Sequence, residues 1–206
     1  MPTCAFGSLE IAYDERVLEP RGWTEAQSRW VAELAADAPG GRILELCAGA
    51  GHIGLLAAHL TGRELVQVEA DPVAADYAAR NAKAAALDAL VEVRCLRLEA
   101  AIGPDERFPI VIADPPYLPT ADIGRFPDDP VTAIDGGEDG LGVLRACLDV
   151  TGHALGPGGV AVFQVRGPDQ ADAVAALAES RPGRNLREDG RRIVDDERAL
   201  LLLRPA

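Results

Sequence analysis

The chain has 206 residues, of which 48% are hydrophobic and 26% are charged, and its formal net charge at pH 7 is −13. This length fits one domain with a sizeable core, and an acidic chain is repelled by nucleic-acid phosphates unless it carries a local basic patch. The sequence has neither an apolar stretch of about 18 residues nor a basic N-terminal leader, so we expect a cytoplasmic protein that does not span a membrane.

The N-terminal segment predicts a hairpin followed by a helix. Apolar residues alternate over positions 9–13, Asp14-Glu15 favours a turn, and Val17-Leu18 would return as the second strand. Thr24 is a suitable N-cap for a helix that continues to about Ala36.

From about residue 40, strand and helix patterns alternate. The predicted strands are 43–47, 65–68, 91–96, 110–113, 160–165 and 200–203, and the predicted helices are 52–60, 73–86, 141–155 and 169–180. Alternation of this kind predicts an α/β fold with a mostly parallel sheet covered by helices on both faces. Such sheets bind ligands where the strand order reverses, at the carboxyl ends of the strands. Glycines and carboxylates directly after strands are therefore candidate site residues.

A glycine-rich turn follows the first core strand. Gly49 and Gly51 allow the backbone to turn tightly and approach a ligand, and Gly54 allows close helix packing. The first amides of the next helix would face the ligand. Glu69 ends the following strand, where a carboxylate can accept hydrogen bonds from both hydroxyls of a ribose. The turn and the carboxylate together predict a nucleoside cofactor.

Glu45 helps to separate two classes of cofactor. It lies four residues before Gly49, where a nicotinamide-binding fold normally has an apolar residue. A carboxylate at this position can pair with a cationic ligand group such as the amino group of a methionine moiety. The alternative is a local ion pair with Arg42.

Asp114-Pro115-Pro116-Tyr117 comes directly after the fourth core strand. The prolines remove backbone donors, so the carbonyl groups of Asp114 and Pro115 stay free to accept, and an ionised Asp114 side chain only accepts. These acceptors would hold a planar NH₂ group against the ring of Tyr117 and free the nitrogen lone pair for attack. The alternative is a proline-rich surface loop.

Residues 114–117 resemble the [N/D]-P-P-[Y/F] signature of class I S-adenosylmethionine-dependent amino methyltransferases. The chain as a whole resembles the HemK/PrmC branch, which methylates the glutamine side-chain amide of peptide release factors. Four further stretches match that branch in order: 17–25 (VLEPRGWTE), 71–82, 133–141 (AIDGGEDGL) and 155–159 (LGPGG). The resemblance extends from about residue 6 to the end of the chain.

The resemblance implies a seven-stranded class I methyltransferase fold in a single domain, residues 1–206, with an antiparallel last strand. Residues 1–38 would form a hairpin and helix extension, and residues 39–206 the catalytic core. It also implies S-adenosylmethionine as cofactor and transfer of a methyl group to a planar NH₂ nitrogen. The catalytic residues would be Asp114, Pro115, Pro116 and Tyr117. The cofactor-binding residues would be Thr24, Glu45, Cys47, Ala48, Gly49, Ala50, Gly51, Glu69, Ala70, Leu98, Glu99 and Asp114.

Three features depart from this branch. Release-factor enzymes usually have Asn where this chain has Asp114, and Asp is commoner among nucleic-acid amino methyltransferases. The acidic residue that contacts the adenine should fall at Leu98, which is apolar here, and Glu99 beside it is the alternative. The chain starts almost at the hairpin, so we expect it to lack the helical N-terminal domain of the release-factor enzymes.

Several alternatives remain open on the sequence. A protein glutamine amide of the release-factor kind is the first acceptor, followed by an exocyclic amine of rRNA, tRNA or DNA and then by a metabolite amine. A nicotinamide-dependent oxidoreductase and a non-catalytic cofactor-binding scaffold are the competing classes, and residues 114–117 count against both. We expect a monomer, because an open pocket gives no reason to require a second copy. We also expect no bound metal, because the cysteines and histidines do not cluster at ligand spacing.

Two charged stretches are predicted not to bind ions. Asp135, Glu138 and Asp139 lack the alternating ligands of a calcium loop, so residues 133–141 are predicted to form a substrate loop. Arginines in the C-terminal region alternate with carboxylates and predict a solvated face of mixed charge rather than a phosphate-binding patch. They are Arg181, Arg184, Arg187, Arg191, Arg192 and Arg198.

Overall fold

The N-terminal residues form an antiparallel hairpin, β1 (Thr3–Phe6) and β2 (Leu9–Ala12), in a computed structural model that describes residues 2–180 and 186–206. Its turn lies at Gly7-Ser8. The chain also turns at Asp14-Glu15, as predicted, where the amide of Val17 donates to the carbonyl of Asp14 at 3.0 Å, but this is not the hairpin turn. The predicted return strand at Val17-Leu18 is wrong, because no strand follows there. The alternating pattern correctly marks β2. The partner strand comes before it, because Gly7 adopts a φ of 59° and supplies the left-handed turn residue.

The helix α1 (Glu25–Ala35) follows a 3₁₀ turn over Gly22–Thr24. Thr24 occupies the N-cap position, but its hydroxyl donates to the carbonyl of Arg21 at 2.8 Å and caps no amide of α1. The predicted helix is therefore confirmed, whereas the side-chain cap is not formed.

Within the described residues, seven further strands form one sheet in the order β5-β4-β3-β6-β7-β9-β8. The strands are β3 (Ile43–Leu46), β4 (Leu65–Glu69), β5 (Val91–Cys95), β6 (Phe108–Ala113), β7 (Leu155–Val165), β8 (Leu186–Asp195) and β9 (Arg198–Pro205). β9 pairs antiparallel with both β7 and β8, and the pairs from β5 through β7 are parallel.

Five helices beyond α1 lie in the described part of the chain. They are α2 (His52–Thr61), α3 (Pro72–Ala84), α4 (Val131–Ile134), α5 (Gly142–Ala154) and α6 (Gly167–Ser180). Alternate residues of a strand point to opposite faces, so Ile43 contributes to the core under α1, α2 and α3, and Leu44 to the core under α5 and α6. The predicted α/β fold, with helices on both faces of a mostly parallel sheet, is confirmed.

The edge strand β8 has no counterpart among the strands predicted from periodicity. Its sequence is dominated by charged residues, and Leu186 is its only buried position. Arg187, Arg191, Arg192 and Arg198 each pair with a carboxylate. Arg181 and Arg184 lie outside the described residues. A strand exposed at a sheet edge does not need an apolar pattern, which is why the charge pattern concealed it.

The reversal of strand order brings the glycine-rich turn close to residues 114–117. The chain passes outward from β3 to β4 and β5 and then returns to place β6 on the other side of β3. Leu46 and Ala113 are register partners, so Cys47 and Asp114 emerge side by side at the carboxyl ends of the two strands. Ligands of open α/β sheets bind at this kind of crevice. None of the helices in residues 2–180 and 186–206 has the length and apolarity required to cross a membrane.

Candidate active site

The glycine turn joins β3 to α2 and reaches the carboxylate at the end of β4. Gly49 and Gly51 have φ values of 55° and 84°. The amide of Gly49 donates to Glu69 Oε2 at 2.8 Å, and the amide of Asp71 donates to Glu69 Oε1 at 2.9 Å. The structure therefore brings together the predicted turn and the predicted ribose carboxylate.

Two amide side chains hold this turn from beneath. Gln67 Nε2 donates to the carbonyl of Gly51 at 2.9 Å and to Glu45 Oε2 at 2.6 Å. Asn81 Nδ2 donates to the carbonyl of Ala50 at 2.9 Å, and the same side chain bonds to both backbone groups of Ala12 in β2. The loop conformation is thus fixed by protein donors, because its carbonyl groups are satisfied within the fold.

Glu45 occupies a different place from the one predicted. It is 2% exposed, and its Oε1 accepts from the amide of Gly54 at 2.8 Å while Oε2 accepts from Gln67. A Cβ at Gly54 would collide with this carboxylate. The predicted direct pairing with a ligand amino group is corrected, because this side chain is buried beneath α2 and presents almost no surface to a ligand. The alternative is wrong too, since Arg42 pairs with Glu92 and Glu106.

Burial changes the protonation of this carboxylate. It raises the pKa of Glu45 to about 8, against the opposing hydrogen bonds from Gln67 and Gly54. The nearby charges of Asp114 and Glu69 raise the same pKa further. Glu45 is therefore a positioning residue of the glycine turn, and the close packing predicted for Gly54 is packing onto this side chain.

The segment after β6 carries the predicted hydrogen-bond acceptors for a planar NH₂ group, and we call residues 114–117 the cradle. Asp114, Pro115, Pro116 and Tyr117 all line a cavity of about 560 Å³. Among the described residues, no protein donor bonds to the Asp114 carboxylate. Burial raises its pKa to about 7. An unpartnered carboxylate facing a cavity is available to accept from a ligand.

A side chain of α6 connects the backbone of Tyr117 to the loop predicted to contact substrate. Gln170 Nε2 donates to the carbonyl of Tyr117 at 2.9 Å and to that of Gly140 at 3.2 Å. Asp135 Oδ1 accepts from Thr120 Oγ1 at 2.8 Å, which ties residues 133–141 to the chain just after the cradle. Burial, and after it the charge of Asp114, raises the pKa of Tyr117 above its usual range, so the phenol stays protonated.

Gln27 is a site residue that the sequence analysis missed. It is 0% exposed, and its Nε2 donates to the carbonyl of Ala113 at 3.0 Å and to that of Val162 at 2.9 Å. Ala113 is the last residue of β6, directly before Asp114, and Val162 lies within the neighbouring strand β7, so α1 ties the end of β6 to β7. Its spacing carried a signal, since Gln27, Trp30 and Val31 lie at i, i+3 and i+4 on the buried face of α1.

His52 also lines the cavity, at the first position of α2. Its ring meets Phe6 of the hairpin edge to face, with ring centroids 4.8 Å apart, and its Nδ1 atom is buried without a partner in the described part of the chain. Burial lowers the pKa of His52 to about 3, so the imidazole is neutral.

The remaining predicted cofactor residues lie around the same edge of the sheet. Thr24 is buried and lines the cavity. Ala48 donates its amide to the carbonyl of Val68 at 3.1 Å. Cys47 has a φ of 59°, and its Sγ lies 3.8 Å from Cys147 Sγ. The hydrogen bond with Cys147, together with burial, raises the pKa of the Cys47 thiol, which favours its protonated form.

The two positions considered for contact with the adenine differ in environment. Leu98 and Glu99 follow β5 in a 3₁₀ turn. Leu98 packs against the core under α5 and α6, whereas Glu99 is exposed and lies 3.7 Å from Arg97. Ala70, next to Glu69, is exposed as well. In residues 2–180 and 186–206, no three His, Cys, Asp or Glu side chains are grouped so that they could hold a metal ion.

Comparison with known proteins connects this geometry to one group of enzymes. Residues 26–125 match the family described as "Conserved hypothetical protein 95". The release factor glutamine methyltransferase of Clostridium acetobutylicum is 30% identical over 86% of this chain and 64% of its own length. That of Rhodospirillum rubrum is 36% identical over 84% of this chain and 54% of its own. The ribosomal protein uL3 glutamine methyltransferase of Bradyrhizobium diazoefficiens is 32% identical over 80% and 56%.

Solved structures agree on the fold. The catalytic domain of hMettl16 in complex with a 3′UTR hairpin superposes with a TM-score of 0.73 at 16% identity, covering 95% of this chain and 74% of that one. The ribosomal protein L11 methylase of Lactobacillus delbrueckii subsp. bulgaricus gives a TM-score of 0.63 at 14% identity, over 92% and 81%. The predicted class I methyltransferase fold and the resemblance to release factor glutamine methyltransferases are confirmed. The chain spans less than two thirds of the length of the three curated relatives named here.

Proposed function

We propose that this chain, a homologue of release factor glutamine methyltransferases, is an S-adenosylmethionine-dependent N-methyltransferase that acts on a protein glutamine side-chain amide. The observation that carries the proposal is the position of Asp114. Its carboxylate has no donor in the described part of the chain, and it emerges beside the glycine turn through the Leu46–Ala113 register.

The glycine turn fits a nucleoside cofactor. A Cβ at Gly49 would meet no atom within 4 Å, so the backbone faces open space at this point. Glu69 is fixed there by two backbone amides and keeps further lone pairs for hydroxyl groups. Gly49, Gly51 and Glu69 would hold the cofactor, with Glu45 and Asn81 positioning the turn. When bound, S-adenosylmethionine supplies an electrophilic methyl group on a sulfonium centre.

The cradle prepares the nitrogen that accepts the methyl group. The Asp114 carboxylate and the Pro115 carbonyl accept the two amide hydrogens, while Tyr117 packs against the planar group. Accepting both hydrogens orients the nitrogen lone pair toward the glycine turn and favours a tetrahedral nitrogen. Most of the rate enhancement then comes from positioning and from acceptors that are aligned in advance.

The names of the curated relatives support a protein glutamine as the acceptor, because both names specify glutamine methyltransferases. The second candidate is an exocyclic amine of rRNA, tRNA or DNA, and Asp114 in place of Asn favours it. A metabolite amine is third. The domain division, the monomeric state and the cytoplasmic location stay predictions.

Transfer of a labelled methyl group from S-adenosylmethionine to a cell lysate tests the proposal. We expect a labelled product that is removed by protease and retained after nuclease treatment and dialysis. Label lost on nuclease treatment would assign a nucleic acid, and label lost on dialysis a metabolite. No transfer to any fraction, combined with tight binding of the cofactor, would instead indicate the scaffold alternative.

A further inference from the structure

A second cavity adjoins the cavity that residues 114–117 line, and it is lined largely by the N-terminal segment. It has a volume of about 420 Å³ and shares Glu19, Arg21, Phe126 and Asp129 with the first. We call the two cavities together the acceptor groove. None of residues 114–117 lines the second cavity, so the groove extends beyond the cradle.

The positive charges of the groove are already paired within the protein. Nine carboxylates but only four arginines line it. Arg21 pairs with Asp129 at 2.6 Å, Arg166 with Asp122 at 2.5 Å, Arg125 with Glu197 at 3.4 Å, and Arg198 with Asp195. A phosphate that entered the groove would therefore compete with a carboxylate at each guanidinium.

Several of the negative charges are unpaired. Glu15, Glu19, Asp128 and Asp196 line the groove and form no ion pair with any described residue. Glu15 and Asp128 both line the second cavity, Glu15 from the N-terminal segment and Asp128 from the loop after the cradle. The surplus charge of the groove is therefore negative and open to a cationic ligand.

Exposed apolar side chains border the same opening. Phe126 is 37% exposed and lines both cavities, and Val131 begins the short helix α4, whose residues Ala133 and Ile134 line the first cavity. Ile193 and Val194 are about half exposed and directly precede Asp195 in the cavity lining. Exposed apolar residues around a cleft are typical of surfaces that bind proteins.

We infer that the acceptor groove binds an extended peptide segment in which basic and apolar residues flank the methylated glutamine. The position of the glutamine rests on the proposed function. Unpaired carboxylates attract the basic residues, the apolar border contacts the aliphatic ones, and the second cavity offers room for chain beyond the glutamine side chain. A nucleic acid would meet unpaired negative charge, and a metabolite would leave the second cavity unfilled.

The test uses fluorescein-labelled peptides about ten residues long, which reach about 33 Å when extended. They share one central glutamine and differ only in the flanking residues, which are lysine in one and glutamate in the other. Binding to the full chain is measured by fluorescence anisotropy, and methylation by mass spectrometry. We expect the lysine peptide to bind at least about tenfold more tightly, with a preference that weakens as salt is added.

A pair of matched double variants locates the effect. Glu15→Gln with Asp128→Asn removes two unpaired charges from the groove. Glu64→Gln with Asp88→Asn removes the same two charges from exposed positions at the opposite end of the sheet, before β4 and β5. We expect the first variant to reduce the lysine preference to about threefold or less and the second to leave it intact.

Equal binding of both peptides, or an undiminished preference in the groove variant, would overturn the inference. So would tighter binding of a single-stranded RNA oligonucleotide, which would assign the groove to nucleic acid. If both peptides are methylated equally well, the inference fails and the proposed function stands. If the groove-dependent preference is present but no methyl group is transferred, the proposed function fails and the peptide groove stands.

Discussion

The two halves of the candidate site satisfy their polar groups in opposite ways. On the glycine-turn side, Glu45, Gln67, Asn81 and Glu69 bond to the turn or to each other. On the cradle side, the Asp114 carboxylate has no donor among the described residues. The first half is held in place by hydrogen bonds within the protein, whereas the Asp114 carboxylate would gain its partners from the ligand. This difference predicts that variants on the two sides will affect different steps.

Replacing Asp114 should have the largest effect on activity, and it should affect the cradle side alone. We expect Asp114→Ala to lower kcat/KM for methyl transfer by at least about a hundredfold, because an aligned acceptor is lost from the transition state. Cofactor affinity, measured by isothermal titration calorimetry, should stay within about tenfold, since the glycine turn is untouched. Near-normal turnover by this variant would refute the cradle role.

A change under the glycine turn should have the converse effect. We expect Gly54→Ala to weaken cofactor binding by at least about tenfold and to destabilise the fold by about 1–3 kcal/mol, because the added Cβ collides with Glu45. Gly40→Ala is the matched control, since a Cβ there meets no atom within 4 Å. Denaturant unfolding and calorimetry measure the two effects. Equal behaviour of the two variants would show that Glu45 does not position the turn.

The raised pKa of Asp114 predicts a pH dependence of activity. Its ionised form is the better acceptor, so kcat/KM should rise about tenfold between pH 6 and pH 8 and level off above its pKa of about 7. Asp114→Asn, which does not ionise, should give a flat profile over this range. A rise that persists in Asp114→Asn would assign the titration to another group.

The same shift predicts a stability effect. The folded-state pKa lies above the ordinary value for Asp, so the contribution of this group to stability is present below pH 4 and is lost as the pH rises through about 7. At pH 8 we expect Asp114→Asn to raise the unfolding free energy by about 1–2 kcal/mol, a size discounted for partial solvent access. Denaturant titrations at pH 5 and pH 8 measure this difference, which should be smaller at the lower pH.

The smallest expected effect tests how the two halves are connected through α1. Gln27→Leu keeps the apolar packing of the helix but removes the hydrogen bonds to Ala113, at the end of β6, and to Val162 of β7. We expect kcat to fall about three- to tenfold with cofactor affinity unchanged. A loss of cofactor affinity with kcat preserved would place Gln27 on the glycine-turn side instead.

The sequence predicted those parts of the fold that depend on local pattern. Buried runs such as 43–47 and 110–113 marked central strands, because such strands are apolar on both faces. The glycine turn, Glu69 and residues 114–117 were identifiable because each directly follows a strand. The hairpin turn and β8 could not be identified from the sequence. A single glycine, Gly7, marks the turn, and the edge strand β8 is mostly charged.

The roles of Glu45 and Gln27 could be assigned only from the tertiary structure. Both were polar residues in apolar surroundings, and nothing along the chain indicates which distant backbone groups they reach. Gln27 bonds to carbonyls that lie 86 and 135 residues away. Glu45 reaches forward to Gly54 and Gln67, which turns an expected ligand contact into a support beneath α2.

The order of residues by itself determined the fold class, the glycine turn and the acceptor tetrapeptide, because strand and helix periodicity, glycine conformation and proline chemistry are local properties. Tertiary structure decided which carboxylates are satisfied and which are open. That outcome depends on desolvation and on long-range hydrogen bonds, neither of which exists until β3 and β6 lie side by side.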